Sequence, residues 1–276
     1  MKLSLGFSPC PNDTFMFDGL VNSKINHSPF TFDVSIKDVE ELNNRAFQNE
    51  FDITKVSFHA YAYISSDYQI LNSGSALGHN NGPLLISKRK IYPDEVNDLN
   101  IAIPGKYTTA NLLLSVAFPF IQHKKEYLFS DIEEVVLSDE ADAGLIIHEN
   151  RFTFQNKGLK KIIDLGEWWE KQTESPIPLG CIIIKRNIPS QIKKEISRLI
   201  HDSIQYAFSY PDNSRSYIKE YAASMDENVI KQHIDLYVND YSVNLGEKGK
   251  EAILKLYEKA GINGNFPSVP ADIFID

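Results

Sequence analysis

The chain has 276 residues, 42% of them hydrophobic with 14 glycines besides, enough to bury a core in one large or two modest domains. Its 28 Lys and Arg against 37 Asp and Glu leave a formal net charge of −9. That acidic balance, without a long basic run, excludes a general nucleic-acid binder and electrostatic docking on anionic membranes.

Residues 1–7 (MKLSLGF) hold too short an apolar run for a secretory signal, and no stretch approaches the roughly 18 apolar residues of a membrane span. Residues 2–7 read as a strand. Residues 9–13 (PCPND) form a turn that leads into a helix starting near Thr14. Residues 31–37 (TFDVSIK) alternate in polarity and predict a half-buried strand. Val39, Leu42 and Phe47 stand near helical spacing over 38–47, residues 51–56 form another strand, and 57–64 a short helix. This alternation predicts a mostly parallel α/β sheet with right-handed crossovers.

Residues 82–88 (GPLLISK) and 180–186 (GCIIIKR) are two almost wholly apolar strands that bracket a second alternating segment. Within it, 100–104 is strand-like, 107–118 helical, 132–137 and 143–147 strand-like, and 165–174 helical. Beyond Pro189, the residues Ile192, Ile196, Leu199, Ile200, Ile204 and Ala207 mark one face of a helix. Amphipathic runs follow at 213–223, 226–238 and 247–260, then an irregular tail over 263–276. The expected organisation is two lobes, with a single larger α/β domain as the alternative: 1–87 with 181–276 as a discontinuous first lobe carrying the C-terminal helices, and 88–180 as an inserted second. Ligands of such sheets bind at the carboxyl ends of the strands, here a cleft between the lobes.

The sequence lacks GxGxxG after a strand, GxxxxGK[ST], HExxH, clustered CxxC and GxSxG. Simple nucleotide, zinc and serine-hydrolase chemistries therefore lose their support. Two cysteines 171 positions apart, Cys10 and Cys181, make no disulfide framework, and a reducing cytoplasm is the expected compartment.

Four polar turns that follow strands remain. In residues 8–14 (SPCPNDT), two prolines stiffen a loop whose Ser8 and Asn12 either line a ligand site or, with Asn12 or Asp13 as cap, start a helix. Cys10 has no basic neighbour in sequence to activate its thiol. Lys55, Val56 and Ser57 end a strand, with Lys55 either a solvated lysine or a ligand cation, and Ser57 either a helix cap or an anion contact. In residues 104–111 (PGKYTTAN), Thr108, Thr109 and Ala110 open a helix whose N–H groups and dipole favour a carboxylate or phosphate, with capping as the plainer role. Finally, residues 143–150 deliver His148 at a strand end beside Glu149, where a general base sits in an α/β cleft. Of the other histidines, His59 lies in a helix, His79 sits in the glycine-rich stretch 74–82, and His123, His201 and His233 read as surface residues.

Together the four turns resemble the 1,4-dihydroxy-6-naphthoate synthase family of the futalosine route to menaquinone. The matching segments are SPCPNDTF (8–15), DITKVSFHAY (52–61), PGKYTTANLLL (104–114) and GLIIHE (144–149), in the family's order and at similar separations over essentially the whole chain. The resemblance implies a two-lobe, periplasmic-binding-protein-like type II fold with a mixed sheet in each lobe. It implies a cytoplasmic enzyme that converts cyclic dehypoxanthinylfutalosine to 1,4-dihydroxy-6-naphthoate and releases the sugar-derived fragment. It implies no metal and no organic cofactor. The family's proposed base falls on His148, and its substrate contacts fall on Lys55, Val56, Ser57, Thr109 and Ala110, with Thr108 adjacent. The expected partner is a small carboxylate substrate. The sequence leaves the oligomeric state open, a homodimer included. Two other readings share the fold: a small-anion solute-binding protein, and the chorismate dehydratase of the same pathway.

Overall fold

A computed structural model describes residues 1–222, 226–262 and 266–275. The chain forms two compact units, Met1–Gly78 with Pro178–Asp276 as unit 1 and His79–Ile177 as unit 2. In unit 1 the chain runs β1 (Lys2–Phe7), α1 (Pro11–Val21), β2 (Thr31–Ile36), α2 (Val39–Phe47), β3 (Ile53–Ser57), α3 (Phe58–Ile64), β4 (Tyr68–Ile70) and β5 (Ala76–Gly78). Unit 2 holds β6 (Leu84–Ser87), β7 (Asn100–Ile103), α4 (Thr109–Ala117), β8 (His123–Glu126), α5 (Ile132–Leu137), β9 (Ala143–Ile146), α6 (Asn150–Thr153), β10 (Lys160–Asp164) and α7 (Leu165–Thr173). The chain returns through β11 (Ile177–Lys185) and ends in α8 (Ser190–Ser209), α9 (Pro211–Tyr221), α10 (Glu227–Tyr237), α11 (Asp240–Val243) and α12 (Gly246–Gly261).

The unit 1 sheet has the order β2-β1-β3-β11-β4, with β5 also paired to β11. β1 is parallel to β2 and β3, as the strand–helix alternation predicts, while β11 runs antiparallel to β3 and β4. Its apolar face, including Leu5, Phe7, Ile182 and Ile184, belongs to one core with α1 and with Ile196, Leu199, Ile200 and Ile204 of α8. Phe7 and Phe17 stack at 4.5 Å within that core. Full burial on both faces explains why 180–186 reads as a continuous apolar run rather than an alternating one.

The unit 2 sheet has the order β10-β6-β9-β7-β8. β7 is parallel to β8 and β9, whereas β6 is antiparallel to β9 and β10. Both sheets are therefore mixed. Residues 79–87 fall in unit 2 and 178–180 in unit 1, which shifts both expected lobe boundaries; for 84–87 the cause is the backbone pairing of β6 with β9 and β10.

Three local expectations change. Residues 132–137 form α5 rather than a strand. Ile132, Val135 and Val136 are buried at i, i+3 and i+4, and Gly144 of β9 makes room for them. A Cβ on Gly144 would lie 2.5 Å from Ile132 Cγ2 and 2.8 Å from Val136 Cγ2. The helix expected near Thr14 begins at Pro11, with proline's fixed φ suited to the first helical position. The tail is not wholly irregular: Ile70 donates its N–H to Ile273 O at 2.7 Å and accepts from Ile275 N at 3.1 Å, which adds a bridge beside β4. Residue 223 of the 213–223 run and residues 263–265 and 276 of the tail lie outside the described residues.

Candidate functional site

In each unit, two neighbouring parallel strands end at the same sheet edge, and the four turns leave from those ends. In unit 1, β1 leads to Ser8 and its parallel neighbour β3 ends at Ser57. In unit 2, β7 leads to residues 104–108 and its parallel neighbour β9 to residues 147–149. The topology thus gathers Ser8, Asn12, Lys55, Val56 and Ser57 at one edge and Thr108, Thr109, Ala110 and His148 at another.

Lys55 is not a solvated lysine. It is 5% exposed, and its Nζ donates to Asp13 Oδ1 at 2.8 Å, with Gly74 O at 3.5 Å. Asp13 is 1% exposed. An ammonium this buried requires an opposite charge at contact. Gly180 on β11 leaves space for the lysine stem, since a Cβ there would stand 3.3 Å from Lys55 Cε and 2.9 Å from Val56 O.

Neither Asn12 nor Asp13 caps α1. Cys10 occupies the N-cap position, and Thr14 returns its hydroxyl to Cys10 O at 3.1 Å. Asp13 sits at the third helical position and reaches back, accepting from Ser8 N at 3.1 Å and Ser8 Oγ at 2.7 Å. Asn12 donates from Nδ2 to Asp13 Oδ1 at 2.8 Å, and its Oδ1 lies 2.9 Å from Nε2 of His233. His233 belongs to α10 and is fully buried, so the expectation of a surface residue fails. Its neighbours Ile230 and Tyr237, at i−3 and i+4, are buried with it, so it lies on the inward face of that helix.

Ser57 stands at the N-cap of α3 yet makes no side-chain cap bond. Asn43, fully buried on α2, holds it instead: Ser57 N donates to Asn43 Oδ1 at 2.9 Å and Asn43 Nδ2 donates to Ser57 Oγ at 3.2 Å. Val56 as a whole residue is 0% exposed, so neither its side chain nor its backbone reaches the surface of unit 1. Opposite Val56 on β11, burial pushes the Cys181 thiol well above its ordinary range against the opposing pull of Lys55. A thiol so placed is no nucleophile.

In unit 2, Thr108 caps α4. Its Oγ1 accepts from Asn111 N at 3.2 Å and donates to Gly105 O at 2.8 Å. Gly105 takes φ 148°, a region closed to most side chains, to make that turn. Thr109 and Ala110 follow in the first turn, which carries no acidic side chain, so the positive end of the helix is not neutralised from within. Asn111 Nδ2 donates to Lys106 O at 2.8 Å and braces the turn from the other side.

His148 lies two residues past the end of β9 with φ 58°, a left-handed conformation uncommon outside glycine. Its ring packs edge-on against Phe129, with centroids 5.1 Å apart. Because 147–149 is a turn, strand alternation does not set the direction of Glu149, which stands at the N-cap of α6. Arg151 on that helix anchors the turn through an ion pair with Asp164 at 3.0 Å and a bond to Gly82 O. Strain in a non-glycine residue is held where surrounding structure over-determines it, and such positions cluster at functional sites.

Asp13, Asn43, Arg151 and His233 escaped sequence reasoning as parts of this arrangement. Asp13 lies inside the SPCPNDTF segment, but its partner Lys55 is 42 positions away. His233 lies 221 positions from Asn12, and no local pattern announces such a pair.

A family model described as "Menaquinone biosynthesis" matches residues 3–261. The chain belongs to this family. A 1,4-dihydroxy-6-naphthoate synthase from Thermus thermophilus is 37% identical over 274 residues, covering 99% of this chain and 99% of that protein. One from Streptomyces coelicolor is 38% identical over 275 residues, covering 98% of this chain and 96% of that protein. Among solved structures, an Archaeoglobus fulgidus protein superposes with a TM-score of 0.90 at 36% identity, covering 95% of this chain and 98% of the other. A Candida albicans protein reported to have the generic periplasmic-binding-protein fold matches with a TM-score of 0.69 at 15% identity, covering 99% of this chain and 93% of the other. The menaquinone-biosynthesis family member described here thus has a periplasmic-binding-protein-like fold. Among its described residues no helix is long and apolar enough to cross a membrane.

Proposed function

We propose that this member of the family is a 1,4-dihydroxy-6-naphthoate synthase, a carbon–carbon lyase that converts cyclic dehypoxanthinylfutalosine to 1,4-dihydroxy-6-naphthoate without a metal or organic cofactor. The observation that carries the reading is its 37–38% identity to two synthases over 98–99% of the chain. The arrangement of the turns supports it. Lys55, balanced by Asp13, and Ser57, held by Asn43, present a cation and a hydroxyl at one strand edge. Thr108, Thr109 and Ala110 present hydroxyls and a helix N-terminus, chemistry suited to a carboxylate with a polyol-like ring.

His148 is the general base. It removes a proton activated by the adjacent ketone, ring cleavage follows, and formation of the aromatic naphthoate drives the reaction forward. A positioned base supplies about 10²–10⁴-fold, so orientation of the substrate supplies much of the remainder. Ser8 and Asn12 contribute by shaping the turn around Asp13.

Incubation with the cyclic substrate, followed by naphthoate absorbance, tests the assignment. Turnover supports it. Stoichiometric binding without turnover would assign the chain to the anion-binding proteins that share the fold, and consumption of chorismate would assign it to the dehydratase.

A further inference from the structure

We propose that Asp13 is the positioning residue of unit 1, holding the Lys55 ammonium and the Ser8 turn in the geometry that receives the substrate's anionic group. The inference rests on the reading of Lys55 as the substrate-binding cation.

Its basis is the accounting of one buried carboxylate. Asp13 Oδ1 accepts from Lys55 Nζ at 2.8 Å and from Asn12 Nδ2 at 2.8 Å. Its Oδ2 accepts from Ser8 Oγ at 2.7 Å and Ser8 N at 3.1 Å. An ionised carboxylate offers about four acceptor sites, and here all four are filled by donors of the protein itself. Asp13 therefore has no capacity left for a ligand and would repel an anionic one, so it acts through Lys55. The ammonium has three donors. Asp13 takes one, and Gly74 O at 3.5 Å takes at best a weak second. The third stays available to an anion, with its direction set by the bond to Asp13.

The seating of Asp13 extends into the core. Asn12 turns its amide nitrogen to Asp13, so its oxygen faces His233 Nε2 at 2.9 Å, which places the ring proton on that nitrogen. The fully buried His233 packs its ring 4.7 Å from Tyr237. The series Lys55–Asp13–Asn12–His233 thereby ties β3 to α1 and α10. A lysine without this support would lack both the counter-charge that its burial requires and the bond that sets its direction.

A double-mutant cycle on the full chain with Lys55→Met, Asp13→Asn and both together tests the inference, with cyclic dehypoxanthinylfutalosine as probe and circular dichroism to confirm folding. Asp13→Asn should raise KM about tenfold or more while kcat stays within about threefold, and should add less than about twofold to KM in the Lys55→Met background. Losses that multiply in the double variant, or a fall in kcat at unchanged KM, would reduce Asp13 to a structural residue and overturn the proposal. Unchanged KM in Lys55→Met overturns the reading of Lys55 itself, a result distinct from failure of the cycle. If the wild type binds without turnover, the same cycle is read as calorimetric Kd, with the same outcomes deciding for or against Asp13. Should Asp13→Asn not fold, Ser8→Ala takes its place. It removes one donor that seats the carboxylate, and it must raise KM in the wild type but not beside Lys55→Met.

Discussion

Lys55 and His148 are ordinary residue types set in unusual environments. Lys55 is a buried cation fixed by one carboxylate, and His148 is a ring held on a left-handed turn after β9. Replacement of His148 by Ala should lower kcat by about 10²–10⁴-fold, the usual contribution of a general base, while KM changes only a few-fold. Steady-state assays of naphthoate formation separate the two parameters. Cys181 should behave as an inert packing residue. In a Cys10→Ser background, the folded chain should resist a thiol reagent and become labelled only on unfolding, since burial holds its thiol up. At this scale the sequence was informative about type and poor about environment. The PGKYTT and GLIIHE turns could be picked out as candidate sites. The burial of Lys55 and His233 could not, because their partners Asp13 and Asn12 are 42 and 221 positions away.

At the scale of elements, close approach between strands and helices sets the site. Gly180 lies where β11 passes Lys55, and a methyl group there would stand 2.9 Å from the Val56 carbonyl oxygen. That obstacle is backbone and does not move aside easily. Gly180→Ala should therefore destabilise the protein by about 1–3 kcal/mol and raise KM by displacing Lys55. Denaturant midpoints and steady-state kinetics read the two effects. Thr108→Ala should remove the cap of α4 at a cost of about 1 kcal/mol, with a matching loss of substrate affinity if that helix end binds the carboxylate. The parallel strands β1, β3, β7 and β9 with their following turns were legible from apolar runs and turn residues. α5 was not, because IEEVVL places four apolar residues in six and leaves period 2 and period 3.6 nearly indistinguishable; Gly144 decides the matter from another element. β4, β5, β8 and β10 were also missed, being short or polar strands defined mainly by their neighbours.

At the scale of the molecule, the two mixed sheets of the described residues and the apolar cores packed on them carry the turns. Tyr61, Tyr68 and Tyr257 are buried, and desolvation raises all three above the ordinary tyrosine value of 10.0. Their folded forms hold protons that the unfolded chain releases near pH 10, so the stabilisation is fully present below that pH and is lost as pH rises beyond it. Denaturant midpoints should accordingly stay level through neutral pH and fall above about pH 10. A midpoint that rises there would contradict the sign. The net charge of −9 sits beside a proposed anionic substrate without conflict, because one ammonium and one helix end act locally while the total concerns solubility.

Whether this family member is a synthase with His148 as its base is decided by one absorbance measurement. Purified wild type and His148→Ala are each mixed with cyclic dehypoxanthinylfutalosine at substrate excess. Many turnovers of 1,4-dihydroxy-6-naphthoate are expected from the wild type, with the variant binding the substrate but turning over about 10²–10⁴-fold more slowly. Near-normal turnover in the variant would contradict the role of His148, and a wild type that binds one equivalent without forming naphthoate would contradict the activity itself.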